Sequence, residues 1–351
     1  MEPTTSPVAA LERVAYLLDR SLAPAQKAKA YLRAAEVLSD LADGELERRA
    51  ADGTLTELPG IGASTSKVIL QALEGRVPDR LSELEASTVI PPGEGAELRA
   101  ALKGDCHSHS VWSDGGATVE KMAMTAIELG HEYLVMTDHS PRLTVAHGLS
   151  AERLEAQLDE IAALNEKLAP FRILTGIEVD ILADGGLDQR EDLLERLDVV
   201  VASVHSKLSM ERRAMTERMV TAIASPHVDI LGHCTGRKLA GMPGDTVEPK
   251  IIRPPAQFDA EMVFAACARF DTAVEINCRP ERQDPPDQLL SIALDWDCKI
   301  SIDTDAHAPG QLEWQTYGCD KAARHGIDPA DIINTWAVDD LLHWAASHPS
   351  T

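Results

Sequence analysis

The sequence predicts an α/β barrel of the TIM type behind a small all-helical domain. Three observations carry that prediction. Short β-branched runs alternate with helical stretches beyond residue 101, nearly every such run closes on a His, Asp or Glu, and residues 1–87 read as helix after helix instead.

The helical part comes first in the chain. LERVAYLLDRSL, AYLRAAEVLSDLA and SKVILQALEG, within residues 8–86, place apolar side chains three and four apart, the spacing of one helix face. A linker over residues 88–100 follows, because Pro91-Pro92 and two glycines in TVIPPGEGAE interrupt any regular element. Residues 101–351 then carry the runs YLVMTDH, RILTGIEVD, DVVVASVH, VDILGH, TAVEIN and KISIDTDAH. Between them lie amphipathic stretches such as TVEKMAMTAIELG and SAERLEAQLDEIAALNEKLA. Near-continuous apolar strands alternating with helices mean a parallel sheet covered by helices. Six or seven such units in about 250 residues fit a closed barrel better than an open sheet, and in such barrels the C-terminal strand ends form the active-site mouth. Polar strand endings therefore point at one rim.

Composition narrows the class. The 351 residues are 44% hydrophobic and 26% charged, ordinary for a globular protein. No apolar run approaches the roughly 20 residues of a membrane span, and MEPTTSPVAALERVAYLL carries acid where a secretory signal carries base. The expectation is a cytoplasmic protein with no membrane partner. The six cysteines form no C-x-x-C pair, which argues against a zinc ribbon or a disulfide scaffold, and Cys106 and Cys234 read as small buried fillers. The formal charge is −24; residues 1–100 hold 11 basic against 16 acidic side chains, a balance of −5, leaving −19 for the rest. Such a chain is a poor general polyanion binder, because affinity for nucleic acid rests on neutralising phosphates. A DNA substrate would need local positive features, some of which bound divalent cations can supply.

Those cations have candidate ligands. In Asp105-Cys106-His107-Ser108-His109, residues two apart on an extended strand face the same way, so His107 and His109 can reach one ion; Asp305 and His307 repeat the geometry in DTDAH. Between them fall Asp114 in SDGG, His139 in TDHS, Glu178 in GIEVD, His205 in SVHSK and His233 in LGHC. Six of the twelve histidines close strand runs or lie in these pairs, whereas His131, His147, His227, His325, His343 and His348 read as helix or loop surface. Imidazole mixed with carboxylate suits zinc, manganese or iron. Asp105 and Asp138, beside ligand histidines, either orient imidazoles or cap turns.

The run DCHSHSVWSDG, then TDHS, GIEVD, SVHSK, DILGHCTGR, EINCRPERQD and SIDTDAH resembles the PHP (polymerase and histidinol phosphatase) family, over residues 104 to about 330. It is most similar to the PHP domain of bacterial family X DNA polymerases. The resemblance implies a distorted (β/α)7 TIM-like barrel in which nine ligands hold three metals. His107, His109, Glu178 and Asp305 would hold one; Glu178, His205 and His233 the second; Asp114, His139 and His307 the third. The activity implied is phosphate ester hydrolysis with two or three divalent ions, Zn, Mn or Fe. Ions about 3.5–4 Å apart can share a hydroxide and clamp phosphoryl oxygens. His107, His109, Glu178 and Asp305 would be catalytic through the metals, and Arg237 and Arg282 catalytic through the phosphate. Lys207, Arg237 and Arg282, close to these motifs, would contact substrate phosphate, or else are ordinary loop charges.

In the helical domain, Thr56-Glu57-Leu58-Pro59-Gly60-Ile61-Gly62 has the look of a helix-hairpin-helix loop. Its glycines let the backbone approach closely, and amides at the next helix start can cradle a DNA phosphate. Residues 8–86 resemble the small N-terminal domain of family X polymerases, which would assign Gly60, Gly62 and Lys67 to DNA. Otherwise the hairpin is a packing module. The position of that family's sugar-lyase lysine falls at Val68, with Lys67 turned about 100° around the helix, which argues against a lyase. The palm with its paired aspartates has no counterpart, so nucleotide polymerisation is not expected. Three readings result. One is DNA hydrolysis in repair, as a 3′–5′ exonuclease, a 3′-phosphatase or an abasic-site endonuclease. Another is a phosphatase for a small monoester such as histidinol phosphate. The third is a non-catalytic DNA-binding scaffold.

Overall fold

A computed structural model describes residues 6–241 and 249–348; residues 1–5 of the segment inspected for a signal lie outside these. Two compact units divide the chain, one closing at Pro91 and the other opening at Pro92.

The first unit is built from α1 (Pro7–Arg20), α2 (Ala25–Ser39), α3 (Glu45–Asp52), α4 (Ala63–Leu73) and α5 (Asp79–Ser87). Helix α1 starts where Ser6 accepts a hydrogen bond from the amide of Ala9 and Pro7 occupies the first helical position, which needs no donor. Its apolar stripe Leu11, Val14 and Leu17 is fully buried with Ala34 and Ile69. Each such leucine or isoleucine contributes roughly 1.5–3 kcal/mol by leaving water. By contrast α3 buries no side chain and is bounded by Gly44 and Gly53, both left-handed.

The second unit opens with α6 (Ala96–Ala101), which occupies part of the stretch read as linker. The correction has a physical cause. The amide of Gly95 donates to Asp320 and Leu98 is buried, so tertiary contacts order a segment whose glycines and prolines suggested none. Then follow β1 (Gly104–Asp105), α7 (Val119–Glu128), β2 (Tyr133–Met136), α8 (Ala151–Leu168), β3 (Arg172–Asp180), α9 (Glu191–Leu194), β4 (Val199–Ser203), α10 (Arg212–Ile223) and β5 (Ile230–Leu231). After an antiparallel ribbon of β6 (Lys238–Ala240) and β7 (Lys250–Arg253), the pattern resumes with α11 (Ala260–Phe270), β8 (Ala273–Asn277), α12 (Asp287–Asp295), β9 (Ile300–Asp303), α13 (Gln315–Arg324) and α14 (Val338–Ala345).

Seven strands run parallel in the order β1-β2-β3-β4-β5-β8-β9. A bridge between Ser108 and Ala306, just past β1 and β9, brings the two edges together, so the sheet is a nearly closed (β/α)7 barrel. Every residue of β2, β4, β8 and β9 is buried, as expected of a sheet covered on both faces. Gly104 is required where β1 passes β2, since a Cβ there would lie 2.1 Å from the Tyr133 ring.

Two histidines depart from the surface positions expected of them. His131 is buried near Arg99; burial first, and that guanidinium second, depress it to about 3. His348 follows α14 with its side chain 2% exposed and its Nε2 2.8 Å from Asp229 Oδ1. A polar letter in a loop says nothing about whether tertiary structure covers it. Cys106 and Cys234 are buried free thiols.

Candidate metal centre

Each barrel strand hands its polar ending to the same rim. The segment after β1 supplies His107 and His109, the one after β2 His139, β3 itself Glu178, and the turns after β4 and β5 His205 and His233. The segment after β9 supplies Asp305 and His307, and the loop before α7 reaches in with Asp114.

Glu178 is the hub. Its Oε1 lies 2.8 Å from His233 Nε2 and 3.1 Å from His205 Nε2; its Oε2 lies 2.8 Å from His139 Nδ1, 3.4 Å from His107 Nε2 and 3.6 Å from His109 Nε2. Asp305 Oδ1 is 3.5 Å from His109 Nε2, and Asp114 Oδ1 is 3.4 Å from His139 Nε2 and 3.3 Å from His307 Nε2. At the barrel mouth, potential ligand atoms within 4.8 Å of one another form three groups: His109, Asp114, His139 and His307; His107, His109 and Asp305; and His139, Glu178 and His205; a fourth such group, Glu191, Glu195 and His227, is largely exposed. Eight of the nine expected ligands fall in these groups, and His233 joins them through Glu178. The grouping differs from the one the resemblance implies, where Glu178 is the shared ligand; here His109 and His139 each belong to two groups.

The donors suit a cation. Ten buried nitrogen and oxygen atoms on His107, His109, His139, Glu178, His205 and His233 have no hydrogen-bond partner. Buried polar atoms left unpaired are costly and rare, and seven of the ten, the two Glu178 oxygens and one nitrogen of each histidine, converge within 2.8–3.6 Å, as ligands of divalent ions do. Protonation agrees in part. Burial alone would push Glu178 up, yet His205, His107 and His139 outweigh it and hold the carboxyl well below its usual range. Burial, then His307 and His139, keep His109 neutral. Those are the ligand forms. Burial opposes a charge on His205 as well, but Glu178 and Asp180 prevail and lift it to about 9. Asp305 sits at a φ of +52°, a left-handed conformation that costs a non-glycine residue energy and marks a constrained position.

Of the two aspartates beside ligands, neither hydrogen-bonds an imidazole among the described residues. Asp105 accepts from the amide of His107 and from Thr304; Asp138 accepts from Ser110, Ser113 and Gln157. Both cap turns. The carboxylate that orients a ligand is Glu275, within β8: His107 Nδ1 lies 2.6 Å from its Oε1, and its Oε2 accepts from the amide of His233 at 2.5 Å. The sequence signal was a glutamate inside an apolar strand, AVEIN, which strand-end reasoning passes over. Arg279 was also missed; its Nη1 lies 2.9 Å from His307 Nδ1 and donates to the Asp305 carbonyl at 2.9 Å.

The three expected phosphate contacts separate. Arg282 donates to Asp305 Oδ2 at 3.0 Å and lines a cleft of about 250 Å³ above the ligands. Arg237 donates to the carbonyls of Arg282 and Gln283 and holds that loop. Lys207 is exposed and does not line the cleft. Arg253 and Lys238, from the ribbon, line it instead. In the helical unit, Gly60 turns the chain before α4 at a φ of +98°, and the amide of Gly62 donates to Thr65 Oγ1. Lys67 Nζ is 2.9 Å from Asp79 Oδ2, so its charge already has a partner. Val68 is buried.

Comparison with known proteins follows the same line. A family model described as PHP domain matches residues 105–243. A protein of Thermoanaerobacter sp. named probable phosphatase is 30% identical over 215 residues, covering 58% of this chain and 78% of that protein. The chain belongs to the PHP family. The DNA polymerase/3′-5′ exonuclease PolX of Bacillus subtilis is 36% identical over 240 residues, 68% of this chain, and the chain spans 40% of that relative's length. A solved histidinol phosphate phosphatase of Lactococcus lactis, complexed with zinc, L-histidinol and phosphate, superposes with a TM-score of 0.40 and 17% identity over 63% of this chain and 94% of that one. This PHP protein is a hydrolase of phosphate esters, with candidate metal-binding clusters at its barrel mouth. No helix among the described residues is long and apolar enough to cross a membrane.

Proposed function

We propose that the chain is a nuclease or phosphatase acting on DNA ends or lesions in the cytoplasm, with two or three zinc, manganese or iron ions at the barrel mouth. The observation that carries the chemistry is the convergence of nine ligands, ten of whose buried atoms lack any other partner. His107, His109, Glu178, Asp305, His205, His233, Asp114, His139 and His307 would hold the metals. When bound, such ions activate water at neutral pH and neutralise the phosphoryl oxygens. The residues of the chain do the rest. Glu275 fixes the ring of His107, and Arg279 and Arg282, braced on Asp305, present guanidinium charge to the cleft. The cleft, at about 250 Å³, is below the roughly 300–1,000 Å³ of common small-molecule sites, so it takes the end of a substrate and leaves the remainder outside.

Support for DNA comes from two directions. The PolX relative is named a 3′-5′ exonuclease, and α4 begins directly after a glycine-containing turn, a helix start of the kind whose first amides can receive a phosphate. A small monoester is favoured instead by the net charge of −24.

The test compares Mn²⁺-loaded protein with His107→Ala on a duplex with a recessed 3′ end and on histidinol phosphate. Degradation of the duplex by the unsubstituted protein alone supports the DNA reading. Turnover of the small ester alone replaces it with a metabolic phosphatase. Absence of hydrolysis with Mn²⁺, Zn²⁺ and Fe²⁺ leaves a DNA-binding scaffold.

A further inference from the structure

The cations of the cleft stand in two tiers. Arg279 and Arg282 form the inner one, since both lean on Asp305 and Arg279 also meets His307. The outer tier comes from the ribbon outside the barrel, where Lys238 and Arg253 face each other in register across β6 and β7. Both line the cleft, yet neither rests on a metal ligand. Lys238 Nζ is held 3.0 Å from Glu281 Oε1, and Glu281 Oε2 is 3.4 Å from Arg279 Nε, so one carboxylate serves two cations. Arg253 donates through Nε to the carbonyl of Gly236 at 2.7 Å and has no carboxylate partner among the described residues.

That economy is unusual in a chain with 57 acidic against 33 basic residues. Guanidinium and ammonium groups gathered in a partly desolvated cleft repel one another, and burial together with Arg282 already disfavours the charge on Arg253. An anion with oxygens to receive the Nη groups of Arg253, which have no partner among the described residues, would relieve this. The inner tier is placed to meet the phosphoryl group at the metals. The outer tier needs a second one.

We infer that Arg253 and Lys238 form a second anion subsite, which binds a phosphate group adjacent to the one being hydrolysed. The inference rests on the phosphoesterase reading above. It makes the substrate a molecule with two neighbouring phosphates, either a polynucleotide or a free nucleoside bisphosphate, rather than a lone monoester.

Inhibition of p-nitrophenyl phosphate hydrolysis by the Mn²⁺-loaded full chain tests it. Thymidine 5′-monophosphate, thymidine 3′,5′-bisphosphate and the dinucleotide pTpT serve as inhibitors of the unsubstituted protein, Arg253→Gln and the double variant Arg253→Gln/Lys238→Gln. The expected result is a bisphosphate Ki about tenfold or more below that of the monophosphate, as one or two charge-assisted contacts would give. The ratio should shrink in Arg253→Gln and fall to within about twofold in the double variant. A variant that merely folds poorly loses turnover but keeps the ratio. An equal gain for pTpT assigns the subsite to a polynucleotide, and a gain for the bisphosphate alone assigns it to a free nucleotide. Equal Ki values for all three in the unsubstituted protein overturn the inference while leaving the phosphoesterase intact. No turnover of p-nitrophenyl phosphate with any metal removes the underlying reading itself.

Discussion

Glu275 shows how much a single side chain can set. It accepts at one oxygen from His107 and at the other from the amide of His233, and all these atoms are buried. A proton held on His107 Nδ1 leaves Nε2 as the donor atom, and carboxylates in this role typically raise metal affinity about 10–100-fold. Glu275→Gln keeps the shape but loses the charge. Zinc titration against a chelator should show affinity reduced by about that factor, with the fold intact by circular dichroism; undiminished affinity would show that the ring is oriented by something else. That the candidate ligands gather at one rim was legible in the sequence for most of them, because strand-end position and H-x-H spacing are local. Glu275 was not, since it acts from inside β8 on residues 168 and 42 positions away. The cleft cations divide in the same way: Arg282 lies within a motif, whereas Arg253 becomes relevant only through ribbon pairing with Lys238.

At the scale of elements, α14 is fastened by the residue that follows it. His348 Nε2 lies 2.8 Å from Asp229 Oδ1 and Nδ1 3.2 Å from the Phe270 carbonyl, with the Trp344 ring edge-on at 5.0 Å. Two acceptors favour the doubly protonated ring. Burial opposes the charge, but Asp229 prevails and raises His348 above its ordinary value, while burial raises Asp229 and His348 pulls it back. A histidine whose folded pKa exceeds its unfolded one stabilises fully below about 6.5 and loses that contribution as pH rises through the folded value. Amide exchange in α14 should therefore quicken, relative to the intrinsic rate, between pH 6 and pH 9, and His348→Gln should flatten the trend. An identical trend in the variant would place the titrating group elsewhere. Helix α6 belongs at this scale too. Its six residues are too few to show a period, and docking of Leu98 rather than propensity makes them helical.

For the whole molecule, the metal centre joins distant parts of the chain. His107 and His109 follow the first strand, Asp305 and His307 the last, and those edges meet through the Ser108–Ala306 bridge, the amide of Gly116 donating to the His307 carbonyl, and side-chain bonds such as Thr304 to Asp105. An ion bound only by the folded barrel stabilises it by about 3 kcal/mol at a hundred times its dissociation constant, or roughly 5–10 °C for a domain of this size. Chelation should lower the melting temperature by about that amount, read by calorimetry, and Zn²⁺ or Mn²⁺ should restore it; a melting curve indifferent to chelator would mean that the barrel closes without help. The barrel class was readable from the alternation of strands and helices. How its edges meet was not, because closure depends on pairs about 200 residues apart, for which no local pattern exists.

That separation also sets a schedule during synthesis. His109 leaves the ribosome well before Asp305, by about 10–40 s at about 5–20 residues per second. Throughout that interval the nascent chain already displays His107, His109, His139, Glu178, His205 and His233 in turn. Ions captured early would meet an incomplete set of donors, and only the arrival of the final strand can select among them. Any ion the barrel holds would thus meet its full set of donors only after the segment carrying Asp305 and His307 has emerged.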